Sequence, residues 1–265
     1  MDPAANFGLD GQTAIITGGS KGIGKAIAER FAASGANVVI CSRTQADVDA
    51  VAEDINEAEG GRCLAVECNV RELDDVEALV EATVEEFGGV DVVVNNAGGE
   101  FVSPFDNISD GGWEAVLDVN LVGTARVARV AGKHMQENGG GDIINLSSVN
   151  GQHAAPYESH YGAAKAGVIS LTKTLAAEWA GHNIRVNCVA PGLIQTPGVA
   201  EVLGVDADDL PDRDSIDRVL GHPDEIADVI HFMASPANSF MTGETVTAKG
   251  KLHSGFEMDD LPAMD

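Results

Sequence analysis

The sequence predicts an α/β protein: a doubly wound, mainly parallel seven-stranded sheet with helices on both faces, in a single domain. Three observations carry that prediction. Short apolar or β-branched runs alternate with longer amphipathic segments along the whole chain. Most of the short runs are unbroken apolar stretches, as expected of strands covered on both faces. A glycine-rich turn separates the first such run from the first amphipathic segment, where doubly wound sheets bind ligands. With 265 residues, 44% of them hydrophobic, the chain can bury the core this fold needs.

The predicted strands are TAIIT (13–17), NVVICS (37–42), CLAVE (63–67), DVVVNN (91–96), DIINLSS (142–148), IRVNCVA (184–190) and ETVTA (244–248). Helices are predicted between them, at 23–34, 45–59, 72–87, 111–137, 158–181 and 223–235. In the first, Ile23, Ile27 and Phe31 recur at helical spacing; in the third, Val76, Leu79, Val80, Thr83, Val84 and Phe87 do so. The domain is expected to cover 1–250. Its one long connection, 191–222, is rich in Pro, Gly and Asp and is read as a substrate lid. Residues 251–265 are read as an acidic tail.

Composition narrows the function. The formal net charge is −26, from 42 acidic and 16 basic residues. Such a chain repels nucleic acid and anionic membranes, so neither is expected as a partner. Its hydrophobic content argues against disorder, which leaves a folded domain whose surface carboxylates hold water and cations in concentrated salt. No apolar run reaches the roughly 18 residues needed to cross a bilayer. The N-terminal stretch MDPAANFGLDGQ also lacks the basic and apolar regions of a signal peptide, so a cytoplasmic location is expected. Cys41, Cys63, Cys68 and Cys188 lie in or beside strand-like stretches without zinc-type spacing and are read as reduced thiols. No metal site is expected.

Two clusters carry chemistry. In TAIITGGSKGIGKAIAERFAASG, Gly18, Gly22 and Gly24 allow a sharp turn and close approach of backbone to a pyrophosphate at the start of a helix. In SHYGAAKAG, Tyr161 and Lys165 stand four apart and so share one helical face. An ammonium beside a phenol favours the phenolate, which predicts a lowered Tyr161 pKa.

TGGSKGIG (17–24), NNAG (95–98), Ser148 in NLSS, YGAAK (161–165) and PG (191–192) together resemble, in order and spacing, the short-chain dehydrogenase/reductase family, from about residue 10 to 247. The resemblance implies a Rossmann-type oxidoreductase acting on a carbonyl or secondary alcohol. Tyr161 would be its acid/base. Lys165 would bind the nicotinamide ribose and tune the tyrosine. Ser148, thirteen positions before Tyr161, would hold the substrate oxygen, and Asn120 would position a water beside the lysine. Gly18, Ser20, Lys21, Gly22, Ile23 and Gly24 would cradle the pyrophosphate side. Asn69 and Val70 would flank the adenine, and Asn96, Ala97 and Gly98 the adenosine ribose. Pro191, Gly192, Ile194 and Thr196 would lie toward the carboxamide. Ser42 occupies the place where NAD-preferring relatives carry an acid, and Arg43 and Lys21 suit a 2′-phosphate, so NADP(H) is expected over NAD(H).

The same resemblance leaves the substrate open. NNAGGEFVSP is similar to a branch of 2-enoyl-CoA and 2,4-dienoyl-CoA reductases, but all four catalytic positions favour C=O chemistry of the 3-oxoacyl thioester kind. A non-catalytic cofactor-binding sensor is the reading from another class. A homotetramer through 111–137 and 158–181 is implied, although TGETVTAKGKLHS departs from the usual continuation after TGE. His153 and His160 read as polar loop residues, Trp113 and Trp179 as helix packing, and Tyr157 and Glu158 as a pocket rim.

The charge reading has a direct consequence. Added KCl, by screening self-repulsion, is expected to raise the thermal midpoint by about 5 °C or more between low and molar salt. A midpoint that falls with KCl in differential scanning calorimetry contradicts it.

Overall fold

The structure is a computed structural model that describes residues 6–58, 62–203, 213–215 and 218–250. The expected tail at 251–265 and the middle of the expected lid lie outside the described residues. All seven predicted strands form: β1 (Thr13–Thr17), β2 (Asn37–Ser42), β3 (Arg62–Glu67), β4 (Val92–Asn95), β5 (Gly141–Leu146), β6 (Ile184–Pro191) and β7 (Thr245–Ala248). They make one sheet in the order β3-β2-β1-β4-β5-β6-β7, and every neighbouring pair is parallel. The helices are α1 (Gly22–Ala33), α2 (Gln45–Glu57), α3 (Leu73–Phe87), α4 (Asp110–Leu117), α5 (Gly123–Glu137), α6 (Ser159–Trp179), α7 (Pro197–Leu203) and α8 (Pro223–Ala234).

The unbroken apolar strands feed two cores. Ala14, Ile16, Val38, Ile40, Val92 and Val94 point to one face, where Ile27, Phe31, Val48, Ile55, Ile226 and Ile230 of α1, α2 and α8 cover them. Ile15, Val39, Cys41, Val93 and Ile143 point to the other, under Val76 and Leu79 of α3, Val127 and Ala131 of α5, and Ala176 of α6. A residue-by-residue alternation of direction, with both directions apolar, is what a sheet sandwiched between helices requires. The order reverses between β1 and β4, and the crevice there opens at their carboxyl ends.

Three elements differ from the sequence expectation. The helix expected over 111–137 is interrupted by a π-turn at Asp118–Val122. There the Asn120 side chain donates from Nδ2 to the Val116 carbonyl at 2.8 Å, the acceptor that an α-turn assigns to Asn120's own backbone N–H. Strand β5 stops at Leu146, so Ser148 does not end it; Ser148 instead caps a 3₁₀ turn at Val149–Gly151, its Oγ accepting from Asn150 N at 3.1 Å. The long connection contains α7, and its ends are drawn together by bonds from Gly221 N to Leu193 O (2.9 Å) and from Gln195 N to Gly221 O (2.8 Å).

Helix α6 is docked on the carboxyl half of the sheet by buried polar contacts. Asn95 Nδ2 donates to Asn145 Oδ1, and Asn145 Nδ2 donates to Thr172 Oγ1, both at 2.9 Å. Ser147 Oγ donates to the Lys165 carbonyl at 2.8 Å. Asn145 is completely buried, so losing its amide strands polar partners in the interior. Asn145→Ala is expected to lower the unfolding free energy by about 2–4 kcal/mol, read by urea denaturation in KCl.

Candidate active site

Helix α6 begins at Ser159 and presents Tyr161 and Lys165 one turn apart, as their spacing predicts. The small residues around them let neighbouring segments press close. A Cβ on Gly162 would stand 3.0 Å from the Asn150 carbonyl, and one on Gly167 would stand 2.8 Å from Leu121 Cδ2. Gly151, in turn, packs against the α6 backbone at Lys165 and Ala166. The 3₁₀ turn carrying Ser148 and the π-turn carrying Asn120 therefore both reach the Tyr161–Lys165 face.

Lys165 is 4% exposed. Its Nζ donates to the Leu146 carbonyl at 2.9 Å and stands over the Tyr161 ring, 5.4 Å from the centroid. Burial pushes its ammonium down to about 8, while Cys188 and Glu100 act to raise it. The Tyr161 hydroxyl is raised, not lowered: burial dominates, Glu100 and Glu158 add to it, and only the hydrogen bond with Ser148 opposes it. The expectation of a lysine-stabilised phenolate is thus corrected. Desolvation outweighs an ammonium that is itself weakened by burial, and Tyr161 rests as a neutral acid bonded to Ser148.

Ser147, 4% exposed, spends its hydroxyl on Lys165, so Ser148 is the serine that meets Tyr161. Asn120 is fully buried. Its Nδ2 also donates to Gly99 O at 2.7 Å, and Gly99 N approaches its Oδ1 at 3.4 Å. Gly98 fits between Asn120 and Lys165, since a Cβ there would lie 2.6 Å from Asn120 Oδ1 and 3.6 Å from Lys165 Nζ.

The glycine turn has the form a dinucleotide requires. Gly18 and Gly22 adopt φ of +67° and +56°. A Cβ on Gly24 would stand 2.2 Å from Gly18 O. Helix α1 starts at Gly22 with no side-chain cap, so its first-turn amides, near Ser20, Lys21 and Ile23, are available to an anion. Asn96 stitches the end of β4 to this turn: its Nδ2 donates to Thr17 O (2.9 Å) and Gly18 O (3.1 Å), and the Asn96 and Ala97 amides both donate to Thr17 Oγ1 at 3.0 Å. Thr196 closes the other side, its Cγ2 lying 3.1 Å from where a Gly22 Cβ would be. Pro191 ends β6, Gly192 N bonds Ala248 O at 2.9 Å, and Ile194 is buried behind Thr196 in the chain. These residues fit a nicotinamide dinucleotide laid across the carboxyl edge.

At the adenosine end, Ser42 Oγ donates to Thr44 O at 3.0 Å, and Arg43 is exposed beside it. Asn69 N donates to Asp75 at 2.9 Å, and the Val70 carbonyl receives Arg126 at 3.5 Å. Glu67, paired in register with Ser42, is an acid the motif reading overlooked; its carboxylate accepts from Gln45 N at 3.2 Å. Glu158, expected at the pocket rim, is accompanied there by Glu100, a carboxyl the motif reading overlooked. Glu100 is raised to about 7, by burial first and then by Glu158, with Lys165 opposing. Glu158 is raised by burial and receives a hydrogen bond from Asn150 Nδ2. His160 is fully buried, not a polar loop residue, and stacks edge-on against Phe101 with ring centroids 4.4 Å apart. Trp179 packs on Gly132 as expected, whereas Trp113 joins Phe105 and His160 in an aromatic cluster. Tyr157 has φ of +66°, and its carbonyl receives Ser103 N at 2.9 Å, joining the two rim segments.

An acid, a serine, a buried lysine and an asparagine beside a dinucleotide cradle define a nicotinamide-dependent oxidoreductase, and sequence and structure comparisons give the family. The chain belongs to the short-chain dehydrogenase/reductase family. A family profile described as enoyl-(acyl carrier protein) reductase matches residues 18–253. The short-chain reductase protein NovJ of Streptomyces niveus is 42% identical over 243 residues, covering 89% of this chain and 92% of that protein. The 3-oxoacyl-[acyl-carrier-protein] reductase FabG of Thermotoga maritima is 38% identical, with 92% and 98% covered. Among solved structures, a short-chain dehydrogenase/reductase from Mycobacterium marinum superposes with a TM-score of 0.86 at 35% identity, covering 93% of this chain and 97% of that one. Among the described residues, no helix is long and apolar enough to cross a membrane.

Proposed function

We propose that this enzyme uses NADP(H) to interconvert a ketone and a secondary alcohol, with Tyr161 as acid/base, Ser148 and Lys165 as its partners and Asn120 as the residue that holds the lysine's surroundings. The observation that carries this reading is the neutral Tyr161 hydroxyl, bonded to Ser148, with Lys165 Nζ over its ring. Bound in the glycine cradle, the nicotinamide supplies or accepts the hydride. A neutral phenol is ready to give its proton to the alkoxide forming as a carbonyl is reduced. Ser148 can share its hydrogen bond between that oxygen and Tyr161, holding the two within transfer distance. Lys165, at an ammonium pKa of about 8, carries charge near neutrality and favours the phenolate left behind.

The preference for a 2′-phosphate rests on where cations are free. Lys25, Arg30, Arg62, Arg71, Arg126, Arg185, Arg213 and Arg218 are in ion pairs; among the described residues Lys21, Arg43, Arg129, Lys133, Lys165, Lys173 and Lys249 are in none, and of these Lys21 and Arg43 follow β1 and β2. In a chain of net charge −26, two unpaired cations at the adenosine end favour a phosphate there, and the Glu67 carboxylate, engaged by α2, is the counterweight. The reading extends to a cytoplasmic homotetramer of a salt-adapted organism, closed over its substrate by 191–222. A 3-oxoacyl thioester substrate draws on the name of the Thermotoga relative, and C=C reduction on the description of the family profile. The intact Tyr161–Ser148–Lys165 set favours C=O over C=C.

Tyr161→Phe is expected to cut turnover of any ketone about 1000-fold or more while leaving NADPH affinity, read by fluorescence titration, within about 3-fold. Retained turnover would remove the assigned role. Arg43→Asp is expected to weaken NADPH at least about 10-fold more than NADH in the same titration; equal losses contradict a 2′-phosphate contact.

A further inference from the structure

We propose that Glu100 and Glu158 make the substrate pocket selective for a ketone or alcohol bearing a cationic amine, and adverse to anionic acyl thioesters. This rests on the carbonyl/alcohol reading above. Glu158 stands at the N-cap of α6, three positions before Tyr161, and Glu100 stands between Gly99, bonded to Asn120, and Phe101, whose ring lies against His160, so both carboxyls act on the Tyr161 hydroxyl. Glu158 lies beneath the acidic coat that the overall charge implies, whereas Glu100 is exposed and held in place by its neighbours. Glu158 is 9% exposed and anchored to Asn150, and Glu100 follows Gly99, whose backbone is held from both sides by Asn120. A surface adapted to salt gains hydration from exposed carboxylates and nothing from crowding two of them beside a catalytic phenol.

The surrounding wall completes the case. Phe101, next to Glu100, and Phe105 are exposed, and their rings lead through Trp113 to His160. Aromatic faces beside carboxylates are the chemistry that recognises an ammonium group. His160 gives an independent sign. Its Nδ1 lies 2.8 Å from Tyr161 N, and burial lowers its pKa while a hydrogen bond to the Glu158 backbone opposes that shift. The ring is therefore neutral, and it adds no positive charge to offset the carboxyls. Segments 99–108 and 149–164 contain no Lys or Arg. On the side of the long connection, Arg213 and Arg218 are already paired with Asp224 and Glu225. The phosphates of a CoA or carrier-protein thioester would find no guanidinium or ammonium on these walls to receive them.

Three ketones of one ring size isolate charge from shape: 4-(dimethylamino)cyclohexanone (cationic), 4-methylcyclohexanone (neutral) and 4-oxocyclohexanecarboxylate (anionic). Each is offered to the full-length enzyme with NADPH at about pH 8, where most of Glu100 is ionised, and at the lowest KCl concentration that keeps it folded, beside acetoacetyl-CoA and crotonyl-CoA. The expected order of kcat/KM is cation, neutral, anion, with about 100-fold or more between the extremes, and acetoacetyl-CoA below the neutral ketone. Glu100→Gln and Glu158→Gln should each shrink the cation-to-anion ratio about 10-fold; a ratio taken within one enzyme cancels any general effect on Tyr161. The unmodified enzyme gives a second readout, since N,N-dimethylcyclohexylamine should inhibit at least about 10-fold more tightly than cyclohexanecarboxylate. Ketone turnover without charge preference, or a preference for acetoacetyl-CoA, overturns this proposal and leaves the carbonyl reading standing. Turnover of crotonyl-CoA with none of the ketones overturns both.

Discussion

The docking of α6 onto the carboxyl ends of β4 and β5 is the constraint on which the site depends. Tyr161 and Lys165 share one helix, but they keep their partners Ser148 and Leu146 only if that helix cannot slide along the sheet. The hydrogen bonds from Asn145 to Thr172 and from Ser147 to the Lys165 backbone fix its position along the sheet. The Lys165 side chain adds a third tie, to the Leu146 carbonyl. Because these groups are buried, each lost bond would strand a polar atom in the interior, so the arrangement resists gradual loosening.

That docking also explains the acid–base character of the site. Spacing alone brings an ammonium to a phenol and argues for the phenolate. Burial of both changes the balance, because desolvation disfavours each charged form and weakens the pairing that spacing suggests. The result is a neutral donor bonded to Ser148. Glu100 and Glu158 push in the same direction as burial, so the two carboxyls and the Tyr161 hydroxyl form one electrostatic unit.

The π-turn and the glycines serve a related purpose on the cofactor side. By taking the Val116 carbonyl and both polar groups of Gly99, Asn120 ties the loop after β4 to the helix beyond it. Asn96 ties the same loop to the glycine turn after β1. Two asparagines thus span the switch point of the sheet, where a doubly wound fold has no strand-to-strand bonds left to hold its loops.

The seven strands, their parallel order and the flanking helices were legible in the sequence because unbroken apolar runs and helical periodicity are local properties. So were Tyr161, Lys165, Ser148, Asn120 and the glycine cradle, which stand at recognisable spacings. Glu158 was legible as a rim residue, but Glu100 and His160 were not legible as its neighbours around Tyr161, nor Glu67 as a neighbour of Ser42, since those meetings join residues that are distant in the chain or carry no spacing signal. The direction of the Tyr161 pKa shift was misread for the same reason. Sequence shows which charges are near along a helix, but desolvation is set by everything packed around them, and only the tertiary structure decides it.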